Sequence, residues 1–250
     1  MMAVIFPFGE GKTEQVVFEF LRKNWFDQAK FRKFVSVGGK REFSSRVPGI
    51  VGTLVPNREV RVIAFRDLDK DEQVDEIGQS FQDLVEKLLK PCELKPKRQE
   101  VLADTVYKWE VFAGPAQPGL RFVLHIAGSV DTAVSLRNWT TDGCVLALGL
   151  KDRVLGRFAQ ESKVGSEVAI LSDLITAAIP GIISQQGISF DEDKDYLAAY
   201  LVATRFWTVG RTEEQARLIR VILDRAWRYD REQVEQVFKS WRIAIEEVVR

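Results

Sequence analysis

Residues 3–8 form a short, unbroken apolar run, the pattern of a strand buried on both faces. Val16, Val17, Phe20 and Leu21 then recur at helical spacing, with Thr13 in the position of an N-cap, which predicts a helix to about residue 25. Residues 34–37 read as a second short strand, ended by Gly38-Gly39-Lys40, and residues 60–65 as a third. Residues 48–57 mix Gly and Pro with apolar positions and follow neither period. Val74, Ile77, Phe81, Leu84, Val85, Leu88 and Leu89 make a clear amphipathic helix, stopped near Pro91. Lys95-Pro96-Lys97-Arg98 has the composition of a surface turn. Residues 106–112 and 121–126 read as strands around a turn from Gly114-Pro115 to Pro118-Gly119. Strands alternating with helices over residues 3–127 predict an α/β sheet, mostly parallel and flanked by helices, with right-handed crossovers.

Beyond residue 131 the pattern changes. Helices are predicted over residues 144–160, 167–178 and 191–207, and strand signals nearly vanish. Two more helices open on capping signals, Thr212-Glu213-Glu214-Gln215 and Asp230-Arg231-Glu232-Gln233. The expected organisation is therefore an α/β domain over residues 1–130 and a helical C-terminal domain over residues 131–250. Trp207, Trp227 and Trp241 fall in the helical part, where aromatics at helical spacing are core residues.

Composition changes this picture little. Hydrophobic residues make up 46% of the 250, charged residues 29%, and the formal net charge is zero, so total charge argues neither for nor against a nucleic-acid partner. Charge is uneven locally. Arg22, Lys23, Lys30, Arg32, Lys33, Lys40, Arg41 and Arg46 crowd one region, and Asp67, Asp69, Asp71, Glu72, Asp75 and Glu76 crowd the next. Solvated faces account for such runs unless a site gathers them. Cys92 and Cys144 match no zinc spacing and read as reduced thiols. No export signal and no stretch of membrane-span length is evident, so a soluble, cytoplasmic protein without membrane contact is expected.

Chemistry concentrates where apolar runs end. The first run leads into Gly9-Glu10-Gly11-Lys12-Thr13-Glu14, and the third ends in Arg66-Asp67-Leu68-Asp69. Loops after the strands of an open parallel sheet gather on one edge, where such sheets bind ligands. If the two runs are neighbouring parallel strands, Glu10, Asp67 and Asp69 share that edge. Clustered carboxylates repel one another unless a cation lies among them, and hard oxygen ligands suit Mg2+ or Mn2+. Gly11-Lys12-Thr13 invites comparison with a phosphate-binding P-loop, but Phe6 stands where that motif needs its first glycine.

A Glu-Gly pair after the first strand and Asp-x-Asp after the third, here Glu10-Gly11 and Asp67-Leu68-Asp69, resemble the Toprim domain. That domain serves topoisomerases, DnaG-type primases, RNase M5-like maturases and the overcoming-lysogenisation-defect nucleases. The resemblance covers about residues 1–127, and Gly38-Gly39 stands where many members carry glycine. Glu10-Gly11-Lys12-Thr13-Glu14 is similar to the Glu-Gly-x-Thr-Glu form of the nuclease branch.

The resemblance implies phosphoryl transfer, with Asp67 and Asp69 holding Mg2+ or Mn2+. Glu10 would complete the metal site or act as general acid or base. Glu14 either touches a second metal or favours the helix N-terminus through its dipole. Lys12 is either a phosphate contact or a surface lysine. Arg66 and Asp71 would stand behind the pair, and Lys151 or Lys163 would serve as the lysine that family nucleases use. No tyrosine has the setting a topoisomerase needs, and no zinc module or ATPase domain accompanies these motifs. The expectation is a metal-dependent nuclease acting on DNA or RNA, with a separately encoded ATPase as a possible partner. Its alternatives are a non-catalytic regulatory or assembly subunit and a phosphotransferase acting on a nucleotide. His125, the single histidine, sits in a predicted strand and reads as a packed residue.

Overall fold

The structure, a computed structural model, describes residues 3–55, 58–69, 72–90, 93, 95, 98–103, 105–111, 119–127, 140–161, 167–204 and 211–250; at 98, 99, 103, 161 and 211–214 it describes the backbone alone. The chain forms two units, one of Met1–Ala127 with Lys239–Arg250 and one of Gly128–Phe238.

The first unit is built on a sheet. Its elements are β1 (Val4–Gly9), α1 (Lys12–Trp25), β2 (Val35–Ser36), α2 (Phe43–Val51) and β3 (Val60–Arg66), then α3 (Val74–Leu89), β4 (Arg98–Ala103), β5 (Val106–Val111) and β6 (Leu120–Ile126). The strand order is β2-β1-β3-β6-β5-β4. The pairings from β2 to β6 are parallel, and β5 and β4 add an antiparallel edge.

Pro7 stands within β1, an interior strand, which is unusual because proline has no N–H to give the ladder. Val4 N–H donates towards β3, to Glu59 O at 3.1 Å. Alternation along the strand then turns Pro7 to the β2 side. There the chain is bridged at Ile5–Phe31 and pairs again only at Phe8–Val35, so no ladder bond is lost.

Two helical layers cover the sheet. On one face Val62, Ala64, Phe122, Leu124 and Trp109 join Phe43 and Val47 of α2 and Phe81 and Leu84 of α3 in one core. On the other face Phe18 of α1 meets the ring of Phe65 at 5.6 Å.

The second unit is helical among its described residues: α4 (Thr141–Gly149), α5 (Asp152–Glu161), α6 (Val168–Asp173), α7 (Ile179–Gln185), α8 (Asp193–Ala203), α9 (Arg211–Tyr229) and α10 (Arg231–Val237). Thr140 caps α4 by accepting from Gly143 N–H at 2.9 Å. Leu146, Leu148, Leu197, Tyr200, Leu218 and Ile222 are buried, and the Tyr200 hydroxyl donates to Gly149 O at 2.8 Å. A helix, α11 (Lys239–Val249), closes the chain and belongs to the first unit.

Several elements differ from the sequence expectation. The helical domain expected over 131–250 ends at Phe238. Trp241, Ala244, Ile245 and Val248 place an apolar stripe on one side of α11, and that stripe covers sheet rather than helix. Trp241 stacks on Phe65 at 4.1 Å. Residues 43–51, aperiodic around Pro48, are helix α2 because Phe43, Val47 and Val51 recur every fourth position onto the core. Strand β4 was not foreseen. The helix expected over 144–160 breaks at Leu150–Lys151, and the one expected over 167–178 continues through a π-helical turn, Leu174–Ala178, to Gln185. That continuous stretch, Val168–Gln185, has the length and composition of a membrane span, which corrects the expectation that no such stretch exists; 17% of it is buried. Cys144 is buried and in no disulfide. The Gly114–Pro118 turn, Pro96-Lys97, Asp71, Cys92, Lys163 and Trp207 lie outside the described residues, as do the Thr212–Glu214 side chains.

Candidate functional site

Strands β1 and β3 run side by side in the same direction, with Gly9 paired to Phe65, so the residues following both strands emerge together. Glycine at position 9 is needed for packing: a Cβ there would lie 2.5 Å from Phe34 Cζ. The turn after β2 closes on the same edge. Gly38 and Gly39 have φ of 85° and 128°, values that favour glycine, and Gly38 N–H donates to Glu10 O at 3.1 Å. That turn delivers Lys40.

The resulting site is an ionic chain. Arg66, buried at the end of β3, pairs with Glu10 through Nη1 and with both carboxylate oxygens of Glu72 through Nη2 at 2.9 Å. Glu10 Oε1 also accepts from Asp67 N–H at 3.2 Å. Lys40 Nζ bridges Asp69 Oδ2 at 2.5 Å and Glu72 Oε1 at 3.1 Å. Its pKa lies above the ordinary lysine value because of the hydrogen bond to Asp69 and, second, that to Glu72. Leu68 packs against the core between the two aspartates and pins the loop that carries them.

The remaining predicted residues fall as follows. Glu14 is buried and its Oε2 accepts from Gly11 N–H at 2.7 Å, so it caps α1; the N-cap is Gly11, and Thr13 lies inside the first turn. Lys12 is exposed and donates to Gln15 at 3.2 Å. Lys151 lies in the second unit, at the break between α4 and α5. His125 is fully buried; its Nε2 lies 2.9 Å from Ser240 Oγ, its Nδ1 has no partner, and burial lowers its pKa to about 3. It is a core residue.

Among the described residues no three acidic, histidine or cysteine side chains are gathered closely enough to hold a metal ion. The structure brings Glu10, Asp67 and Asp69 to one edge, but links Glu10 to Asp69 through Arg66, Glu72 and Lys40 rather than through a shared cage, with Asp67 N–H on Glu10. Sequence reasoning gave Arg66 a supporting place and missed Lys40 and Glu72. The signal for Lys40 was its place directly after the Gly38-Gly39 turn.

Fold and site together define an α/β unit with a charged, oxygen-rich edge at the C-terminal ends of two adjacent parallel strands. No family model matches the sequence, and no curated protein matches it. Among solved structures, the crystal structure of hypothetical protein PH0156 from Pyrococcus horikoshii OT3 aligns with 96% of this chain and 95% of its own, with a TM-score of 0.55 and 12% identity. That likeness concerns the fold alone.

Proposed function

We propose that the protein is a Toprim-like nuclease that hydrolyses phosphodiester bonds of DNA or RNA with Mg2+ or Mn2+. The observation that carries the reading is the placement of Glu10 and the Asp67–Asp69 pair at the ends of two adjacent parallel strands, with Glu10 Oε1 in contact with Asp67 N–H. In an open α/β sheet this edge is where ligands bind.

Carboxylate oxygens alone are the donor chemistry a hard divalent cation takes. As they stand the three are not gathered closely enough to hold one, and Glu10 and Asp69 are paired with Arg66 and Lys40, so binding would require those pairs to loosen. Glu10, Asp67 and Asp69 would hold the ion, with Glu14 as a candidate for a second. Bound there, the ion would neutralise phosphate charge and orient the attacking oxygen. The chain's own residues prepare this. Arg66 fixes the Glu10 carboxylate, and the Lys40–Asp69 pair is exposed, worth less than about 1 kcal/mol, so Asp69 exchanges partners at little cost. Lys12, at the start of α1, is a candidate phosphate contact. A separately encoded ATPase remains a candidate partner.

Purified protein with manganese should cut single- or double-stranded DNA or RNA, and Asp67→Asn should lower the rate by about 100-fold or more. Manganese should also raise the melting temperature of the wild type, and most of that rise should vanish in Asp67→Asn. Inertness on all four substrates combined with equal manganese shifts would remove this reading. A second reading, a non-catalytic Toprim-like binding subunit, is favoured by the closure of the carboxylates onto Arg66 and Lys40; it predicts that outcome.

A further inference from the structure

Between the Lys40–Glu42 turn, α2 and α3 lies a cavity of about 270 Å3. Its floor is apolar, with Ile77 beside Phe43 and Phe81, whose rings meet edge to face at 5.2 Å. Three cations also line the cavity, Lys40, Arg41 and the buried Arg66. Glu72 stands among them. Its carboxylate receives Arg66 Nη2 at 2.9 Å on both oxygens, Lys40 Nζ at 3.1 Å and Asp69 N–H at 3.2 Å.

A carboxylate gripped by a guanidinium and an ammonium takes the place a phosphate would take, because both anions are recognised by the same charge-assisted hydrogen bonds. Without Glu72, Arg66 keeps Glu10 through Nη1 and Lys40 keeps Asp69, but Arg66 Nη2 and one Lys40 contact are vacated. Glu76 does not replace them, since its carboxylate is turned to Gln73 N–H at the start of α3, 3.4 Å away. An anion would then find the vacated guanidinium and ammonium donors, with Arg41 beside them, above an aromatic floor. A bare anion makes no use of that floor, whereas a nucleotide uses both parts.

We propose that this cavity is a nucleotide pocket closed by Glu72: an incoming phosphate displaces Glu72 from Arg66 and Lys40 while the base lies on the Phe43–Phe81 floor. Lys40 bridges Glu72 and Asp69, so a phosphate that claims Lys40 also frees Asp69 at the strand edge. Occupation of the pocket and release of that carboxylate are one event. The proposal concerns regulation of the carboxylate edge and rests on the nuclease reading for the identity of its ligand.

The test is calorimetric binding of adenosine 5′-monophosphate and, separately, of inorganic phosphate, with chelator present and in an Asp67→Asn background. Chelator keeps the measurement independent of hydrolysis. A protein that binds the nucleotide but never cuts loses the nuclease reading alone, and one that cuts but ignores these substitutions loses this proposal alone. Glu72→Gln should tighten the nucleotide by about tenfold, Lys40→Met should weaken it by about tenfold or more, and phosphate alone should bind far more weakly. Melting curves accompany each variant, and Glu72→Asp, whose shorter side chain cannot span both cations, should fall between wild type and Glu72→Gln. Unchanged nucleotide affinity in Glu72→Gln and Glu72→Asp, or equal affinity for phosphate and nucleotide, overturns the proposal.

Discussion

Strand β3 begins and ends in an ionic network, and the two networks differ in what they leave free. At its start, Arg61 donates to the last-turn carbonyls of α11, Val248 O at 3.1 Å and Val249 O at 2.7 Å. Beside it Arg121 donates to Glu247 O at 2.9 Å and pairs with Glu110, while Lys108 pairs with Glu247 at 2.9 Å. Arginines on the terminal carbonyls of a helix satisfy groups that have no partner within the helix and complement its dipole. This network is half-buried and holds an element in place. At the other end of β3, Arg66, Glu72 and Lys40 hold no helix end, and the Lys40–Asp69 pair is exposed. Similar groups thus stand in different settings: one network is closed over packed structure, while the other lines a cavity.

The largest test of that contrast is Trp241→Ala. The ring stacks on Phe65 and lies 4.9 Å from His125, and its loss should destabilise the first unit by about 3–5 kcal/mol in urea unfolding. A loss below about 1 kcal/mol would mean that α11 is not a packed part of the sheet.

Acid should loosen the same face. His125 is neutral in the folded protein with a pKa near 3, below its ordinary 6.5, so between those values the unfolded chain takes up a proton that the folded one refuses. Stability should fall as pH drops below 6.5, by up to about 1.4 kcal/mol per pH unit from this group. His125→Gln should flatten the fall between pH 7 and 5. An unaltered slope would assign the acid response elsewhere.

The smallest effects separate the two networks most directly. Glu247→Gln should cost about 1 kcal/mol of stability, since Lys108 and Arg121 keep Glu110, and leave nucleotide affinity unchanged. Lys40→Met should cost less than about 0.5 kcal/mol while lowering nucleotide affinity. The reverse pattern would make the strand-end network structural and the α11 network functional.

How much of this was legible in the chain depends on the range of the information. Short apolar runs marked β1, β3 and β6, apolar–polar alternation marked β5, and the spacing of Ile77, Phe81, Leu84 and Leu88 marked α3, because burial writes a local period. The same runs located Glu10 and Asp67-Leu68-Asp69 at strand ends. Helix α2 was hidden because Pro48 and its glycines obscured a four-residue period that matters only against the core. The partners of the acidic residues were hidden for a stronger reason. Lys40 meets Asp69 across 29 positions and Arg66 meets Glu10 across 56, so parallel pairing of β1 with β3 and the turn at Gly38-Gly39 chose them. The return of α11 to the sheet, which joins Ser240 to His125 across 115 positions, belongs to the same class. Local pattern determined which residues form strands and helices and where carboxylates stand along them. Tertiary structure alone decided which cations Glu10 and Asp69 meet, because that choice is made between segments with no shared sequence period.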